Sequence, residues 1–174
     1  MLEMPATNIV RSALDAALNL LCQPSNDAYL LQIDASERSI THRLAIHLES
    51  EVETWGEHWN VDCEYNRDAN ADDDFYKKII NATEFEVRYS NSIDGEHTHF
   101  VFPDIIVHKR DTEQNLLIVE IKKSTSKDAG AFDRKVKIPA YVEQLKYQFA
   151  AFVELKIYDP IGYKIVEWVE RDGG

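Results

Sequence analysis

Two short aliphatic runs, Ile105-Ile106-Val107 and Leu117-Ile118-Val119, flank the polar stretch Asp111-Thr112-Glu113-Gln114-Asn115. Runs of this kind suit strands buried on both faces of a sheet, and the stretch between them is rich in turn-forming residues. The spacing predicts an antiparallel hairpin with strands over 104–109 and 116–122. With its turn centred on Thr112, Val107 faces Leu117 and Asp104 faces Glu120. Period-two alternation then puts Lys122 on the same face as Glu120, and directly opposed residues have Cβ atoms about 4.5–5.5 Å apart. Everything in this reading depends on register, because a slip of one residue moves each side chain to the other face.

Charges in such surroundings constrain chemistry as well as fold. Two carboxylates that converge among Leu117, Ile118, Val119 and Ile121 repel one another and need positive compensation. Lys122 supplies part of it, and a divalent cation supplies more. Mg²⁺ takes hard oxygen ligands and keeps several waters, which suits Asp104, Glu120 and a backbone carbonyl such as that of Ile121. Cation and lysine together would stabilise the extra charge that develops on a phosphate during hydrolysis.

The rest of the chain supplies a setting for this hairpin. Ile9, Val10, Ala13, Leu14, Ala17, Leu18 and Leu21 recur at helical spacing over 7–22, and Pro24 ends that helix. Residues 24–27 read as a loop. A second helix is expected over 36–52, with Ile40, Leu44, Leu48 and Val52 on one stripe. Asp34 and Glu37 resemble a capping box, with Asp34 as N-cap and Glu37 at the third helical position. Residues 59–66 read as a strand, 67–74 as an acidic loop and 84–102 as a hairpin. A helix over 128–146, interrupted near Ile138-Pro139, and closing strands over 148–157 and 164–169 complete the order. Helices, strands, helix, strands in this sequence predict an α/β (α+β) fold with a mixed central β-sheet flanked by helices. One domain is expected over 1–174, with 1–34 as an N-terminal helical extension and 35–170 as the core.

The chain has 174 residues, 44% of them hydrophobic, with only six Gly and five Pro. That composition excludes disorder. No apolar run approaches the roughly 20 residues that span a bilayer, and the N-terminal stretch lacks the basic start of a signal peptide. Cys22 and Cys63 are too few for a disulfide framework. A cytoplasmic protein without a membrane partner is therefore expected. The net charge of −12 opposes broad adhesion to nucleic acid. Residues 109–137 reverse the sign, with eight basic and five acidic residues.

Pro103-Asp104, followed by Glu120-Ile121-Lys122 with an apolar strand on each side and a helix after, resembles the PD-(D/E)xK signature of restriction-endonuclease-like nucleases. The Ser36-Glu37-Arg38 opening of the earlier helix is similar to that of archaeal Holliday-junction resolvases in the same superfamily. The resemblance covers roughly residues 34–157. It implies a restriction-endonuclease-like core and Mg²⁺-dependent phosphodiester hydrolysis, with Mn²⁺ able to substitute. Asp104 and Glu120 would be metal ligands, Lys122 the catalytic lysine and Glu37 an auxiliary acidic residue. Some relatives carry Gln followed four residues later by Tyr on the helix after the lysine. Here Gln144 is followed by Gln148, so that submotif is incomplete and Gln144 is a lesser candidate.

Blander readings stand beside these. Glu37 is explained equally simply as a helix cap. Lys123, Lys127, Arg134 and Lys135, together with Lys77-Lys78, Lys109-Arg110 and Lys137, suit contacts to a phosphate backbone, or simple solubility. His97 and His99 share one side of a strand, but no third ligand accompanies them. Trp55 and Trp59 suit packing better than base stacking. The expected partner is nucleic acid, DNA before RNA, with a homodimer suggested by analogy. The rival expectation is a catalytically weak nuclease-like module that binds a protein partner or nucleic acid within a repair or defence complex.

Overall fold

The computed structural model describes residues 4–56, 58–64, 79–81, 98–100, 102–127 and 130–172, with backbone alone at 79–81 and 98–100. The acidic loop 67–74, Lys77-Lys78, His97 and the tip of the 84–102 hairpin lie outside the described residues, as does the side chain of His99.

Helix α1 (Thr7–Cys22) buries Val10, Ala13, Leu14, Ala17, Leu18 and Leu21 on the expected stripe. A short helix α2 (Ala28–Gln32) follows, which the sequence pattern does not announce. Helix α3 (Glu37–Glu53) starts one residue after the expected position. Its N-cap is Ser36, whose Oγ accepts from the Ser39 N–H at 3.1 Å. Asp34 is therefore not the cap, and Glu37 is the first helical residue and not the third. Asp34 adopts a left-handed φ of 52° two residues earlier, a conformation that Asp tolerates better than most residues.

Strands β1 (Asn60–Cys63), β4 (Ile105–His108), β5 (Asn115–Lys123), β6 (Phe149–Lys156) and β7 (Gly162–Glu170) form one sheet in the order β1-β4-β5-β6-β7. Strands β2 (Ile79–Asn81) and β3 (Thr98–Phe100) pair separately and antiparallel. Within the sheet β5 and β6 are parallel and the other neighbours antiparallel. The fold is a mixed α+β domain with a five-stranded sheet between helices. Ile105 pairs with Val119, Ile106 with Ile118 and Val107 with Leu117, the register expected from a turn centred on Thr112. A bulge after Val107 then brings His108 opposite Asn115.

The parallel β5–β6 step needs a crossover. It is made by a π-helical turn, Asp133–Lys137, that runs directly into helix α4 (Ile138–Glu143). The Ile138 N–H reaches back five residues to the Asp133 carbonyl. Pro139 has no N–H to give, so the change of winding falls where an α-helical ladder would be interrupted anyway. The helix changes its pitch near Ile138-Pro139 and continues through it.

Alternation along the strands divides the core in two. Ile105, Val107, Leu117, Val119, Ile121, Ala151 and Val153 pack with α1 and α3. Ile106, Ile118, Ala150 and Phe152 pack with Val136, Ile138, Tyr141 and Val142 on the opposite face. Among the described residues no helix is long and apolar enough to cross a membrane.

Candidate active site

Two residues beyond Ile118, on the face that looks toward α4, stands Glu120. The register carries on past Ile105, so Asp104 lies opposite it just before β4 begins. Asp104 is held by the adjacent strand, where the Ile121 N–H donates to Asp104 Oδ2 at 2.7 Å. Oδ1 of Asp104 accepts no hydrogen bond among the described residues.

Glu120 is 3% exposed and its partners come from the crossover helix. The Tyr141 hydroxyl donates to Oε1, and Lys137 Nζ stands 3.5 Å from Oε2. Lys137 also binds Asp133 Oδ1 at 2.6 Å. Asp133, Lys137 and Tyr141 recur every four residues, so one stripe of the helix faces Glu120. Sequence reasoning missed Asp133 and Tyr141, and gave Lys137 to the phosphate backbone, whereas its ammonium is turned to Glu120 and Asp133. The submotif was sought at Gln144 and Gln148. Gln144 is instead the exposed C-cap of α4, and Gln148 precedes β6.

Lys122 continues the same face of β5 and bridges two acids. Its Nζ lies 3.6 Å from Glu37 Oε1 and 3.5 Å from Asp133 Oδ2. Glu37 is fixed in turn by the Lys123 N–H at 3.3 Å and the Ser126 hydroxyl at 3.5 Å, both to Oε2. The start of α3 is thereby fastened to the end of β5. A second tie is Lys123, whose Nζ binds Asp34 Oδ1 at 2.7 Å and the Ala35 carbonyl at 2.9 Å.

Asp104, Glu120, Lys122 and Glu37, all nominated from sequence, thus stand at one place. The Ile121 group seen there is its N–H. Of the nominated phosphate contacts, Lys123 is taken up by Asp34, and Arg134 lies over the Phe152 ring at 5.8 Å. Lys127 and Lys135 are exposed. Trp59 is buried beneath Lys109, which gives it a packing role.

Burial sets the electrostatics. It pushes the Glu120 carboxyl up to about 8, with Lys137 opposing and the Asp104 charge adding to the rise. It pushes Asp104 up to about 6, against the Ile121 hydrogen bond and helped by the charge of Glu37. Burial works against the charge on Lys122, but Asp133, Glu37 and Asp104 outweigh it and its pKa is raised. Lys137 is raised in the same way, chiefly by Glu120 and Asp133.

Beside Asp104 and Glu37 a half-open cavity of about 590 Å³ is lined by Arg38, His42, Cys63 and Glu64 among others. It gives a route from solvent to Asp104 and Glu37, while Glu120 does not line it. The carboxylates of Glu37, Glu64 and Asp104 line it beside His42 and Cys63, and carboxylate oxygen suits a hard cation that brings its own water. Among the described residues no group of three or more His, Cys, Asp and Glu is placed to hold a metal ion. The protein's own share of such a shell would be Asp104 and Glu120.

The chain matches no protein-family profile, no curated protein and no solved structure.

Proposed function

We propose that this chain is a metal-dependent nuclease of the PD-(D/E)xK type that hydrolyses phosphodiester bonds in DNA. The observation that carries the reading is the opposition of Asp104 and Glu120 across the β4–β5 hairpin, with Lys122 next on the same face and Glu37 against it. The order of elements is in keeping with a restriction-endonuclease-like core. A helix precedes three antiparallel strands, and a crossover helix leads to a strand parallel to the third.

In this reading Asp104 and Glu120 hold Mg²⁺, for which Mn²⁺ substitutes. When bound, the cation supplies Lewis-acid stabilisation of charge on the phosphate. Lys122 positions the attacking water and faces the developing negative charge. Glu37 keeps the Lys122 ammonium turned to the site, and Tyr141 and Lys137 fix the Glu120 carboxylate. Lys127 and Lys135, exposed beside the crossover, are available to the phosphate backbone.

A second reading follows from the pairing of Glu120 with Lys137 and Tyr141. A carboxylate already satisfied from within suits a nuclease-like module that binds a protein or nucleic-acid partner with little activity of its own. Incubation with plasmid, single-stranded DNA and RNA, in Mg²⁺, Mn²⁺ or EDTA, separates the two. The nuclease reading expects metal-dependent cutting that Lys122→Ala reduces by about 100-fold or more. Equal cutting by that variant overturns the role of Lys122, and no cutting with no Mn²⁺ binding by the wild type leaves the binding module.

A further inference from the structure

We propose that Lys137 is a built-in counter-cation that competes with a divalent metal ion for Glu120. The inference rests on the metal-dependent reading above and concerns how that site is regulated.

Lys137 sits between two carboxylates, 3.5 Å from Glu120 Oε2 and 2.6 Å from Asp133 Oδ1. The shorter contact is with Asp133, so the ammonium has a second place to stand when Glu120 turns to another cation. Asp133 is itself shared, since Lys122 approaches its other oxygen at 3.5 Å. The result is a chain of alternating acidic and basic side chains, Glu120–Lys137–Asp133–Lys122–Glu37. Two buried acids opposed across a hairpin would destabilise the fold without positive charge close by. Lys137 supplies it from within, and the π-helical turn that carries Asp133 and Lys137 is what brings the ammonium to Glu120. A divalent ion at Glu120 would have to displace or repel that ammonium, at a cost in affinity. Asp133 lowers the cost by receiving Lys137.

The two positions therefore have opposite effects on metal binding, which a merely structural role would not give. Removing Lys137 takes away the competitor, whereas removing the Asp133 charge leaves Lys137 with Glu120 alone. Calorimetric titration of the full chain with MnCl₂, without nucleic acid, compares wild type, Lys137→Gln, Lys137→Arg and Asp133→Asn. Lys137→Gln is expected to bind Mn²⁺ about tenfold more tightly and Asp133→Asn about tenfold more weakly. Lys137→Arg keeps the charge and is expected to stay near the wild-type affinity. Metal-free Lys137→Gln should also melt below the wild type and regain more than the wild type does on adding Mn²⁺. If Lys137→Gln binds no more tightly than wild type, the competition is wrong while the metal site stands. If it does not fold, unaltered affinity in Asp133→Asn overturns the proposal instead. Absence of Mn²⁺ binding in the wild type and every variant overturns the metal-dependent reading and this inference together.

Discussion

Glu120 is harder to ionise in the folded chain than in the unfolded one, and the consequence has a definite sign. Between its ordinary value of 4.5 and about 8 the folded chain binds the extra proton. Asp104 does the same between 3.8 and about 6. Stability falls with rising pH wherever the folded state holds more protons. The metal-free protein is therefore expected to lose stability from about pH 5 to about pH 8, and the contribution is whole below the ordinary carboxylate range. Glu120→Gln deletes the larger part, so urea midpoints measured across that window should fall less steeply than in the wild type. Parallel slopes would show that Glu120 keeps the same proton affinity in both states. At this scale the sequence was informative about identity and silent about environment. Asp104, Glu120 and Lys122 announced themselves as charges within aliphatic strands. The cap of α3 was misassigned because Asp34 and Ser36 both suit that position, and the choice was made by Lys123, which binds Asp34 across 89 residues.

Among the elements, the β4–β5 hairpin was legible in the register of its aliphatic runs, though not in the bulge after Val107. Its contacts are local, its turn is short, and a polar stretch between two aliphatic runs leaves one register that buries both. The crossover was less so. A Pro inside a helical pattern ordinarily marks a break, and that expectation hid the stripe of Asp133, Lys137 and Tyr141 that the π-helical turn preserves. Gly130 shows how closely the start of this crossover is fitted to β6 and β5. It holds a left-handed φ of 65°, and an added Cβ would lie 2.5 Å from Phe152 Cζ and 3.2 Å from Lys122 Cγ. Gly130→Ala should lower stability by about 2 kcal/mol or more, from backbone conformation and overpacking together. Because the same Cβ presses on Lys122, cleavage should drop in the folded variant as well. A thermal midpoint equal to that of the wild type would mean that Phe152 moves aside freely.

For the molecule as a whole, the sheet separates two kinds of work. The α1/α3 face is aliphatic and carries most of the core, while the α4 face carries both apolar packing and the charge chain. Leu44 is wholly buried on the first face. Leu44→Ala is expected to cost about 2–5 kcal/mol, with about 2–4 °C of thermal midpoint for each kcal/mol in a chain of this size. Mn²⁺ affinity should be unaltered, since distant sites act independently; a large loss of affinity would mean that the two faces are coupled. What the sequence determined by itself was whatever depends on periodicity: the amphipathic helices, the aliphatic strands, the hairpin register and the opposition of Asp104 to Glu120. What only the tertiary structure decided was who neutralises those acids. Lys137 and Tyr141 reach Glu120 because a parallel crossover lays their helix on one face of β5. Glu37 reaches Lys122 and the Lys123 amide from a helix packed on the other face. Contacts of that kind are fixed by how layers stack around the sheet, and local periodicity along the chain carries no record of it.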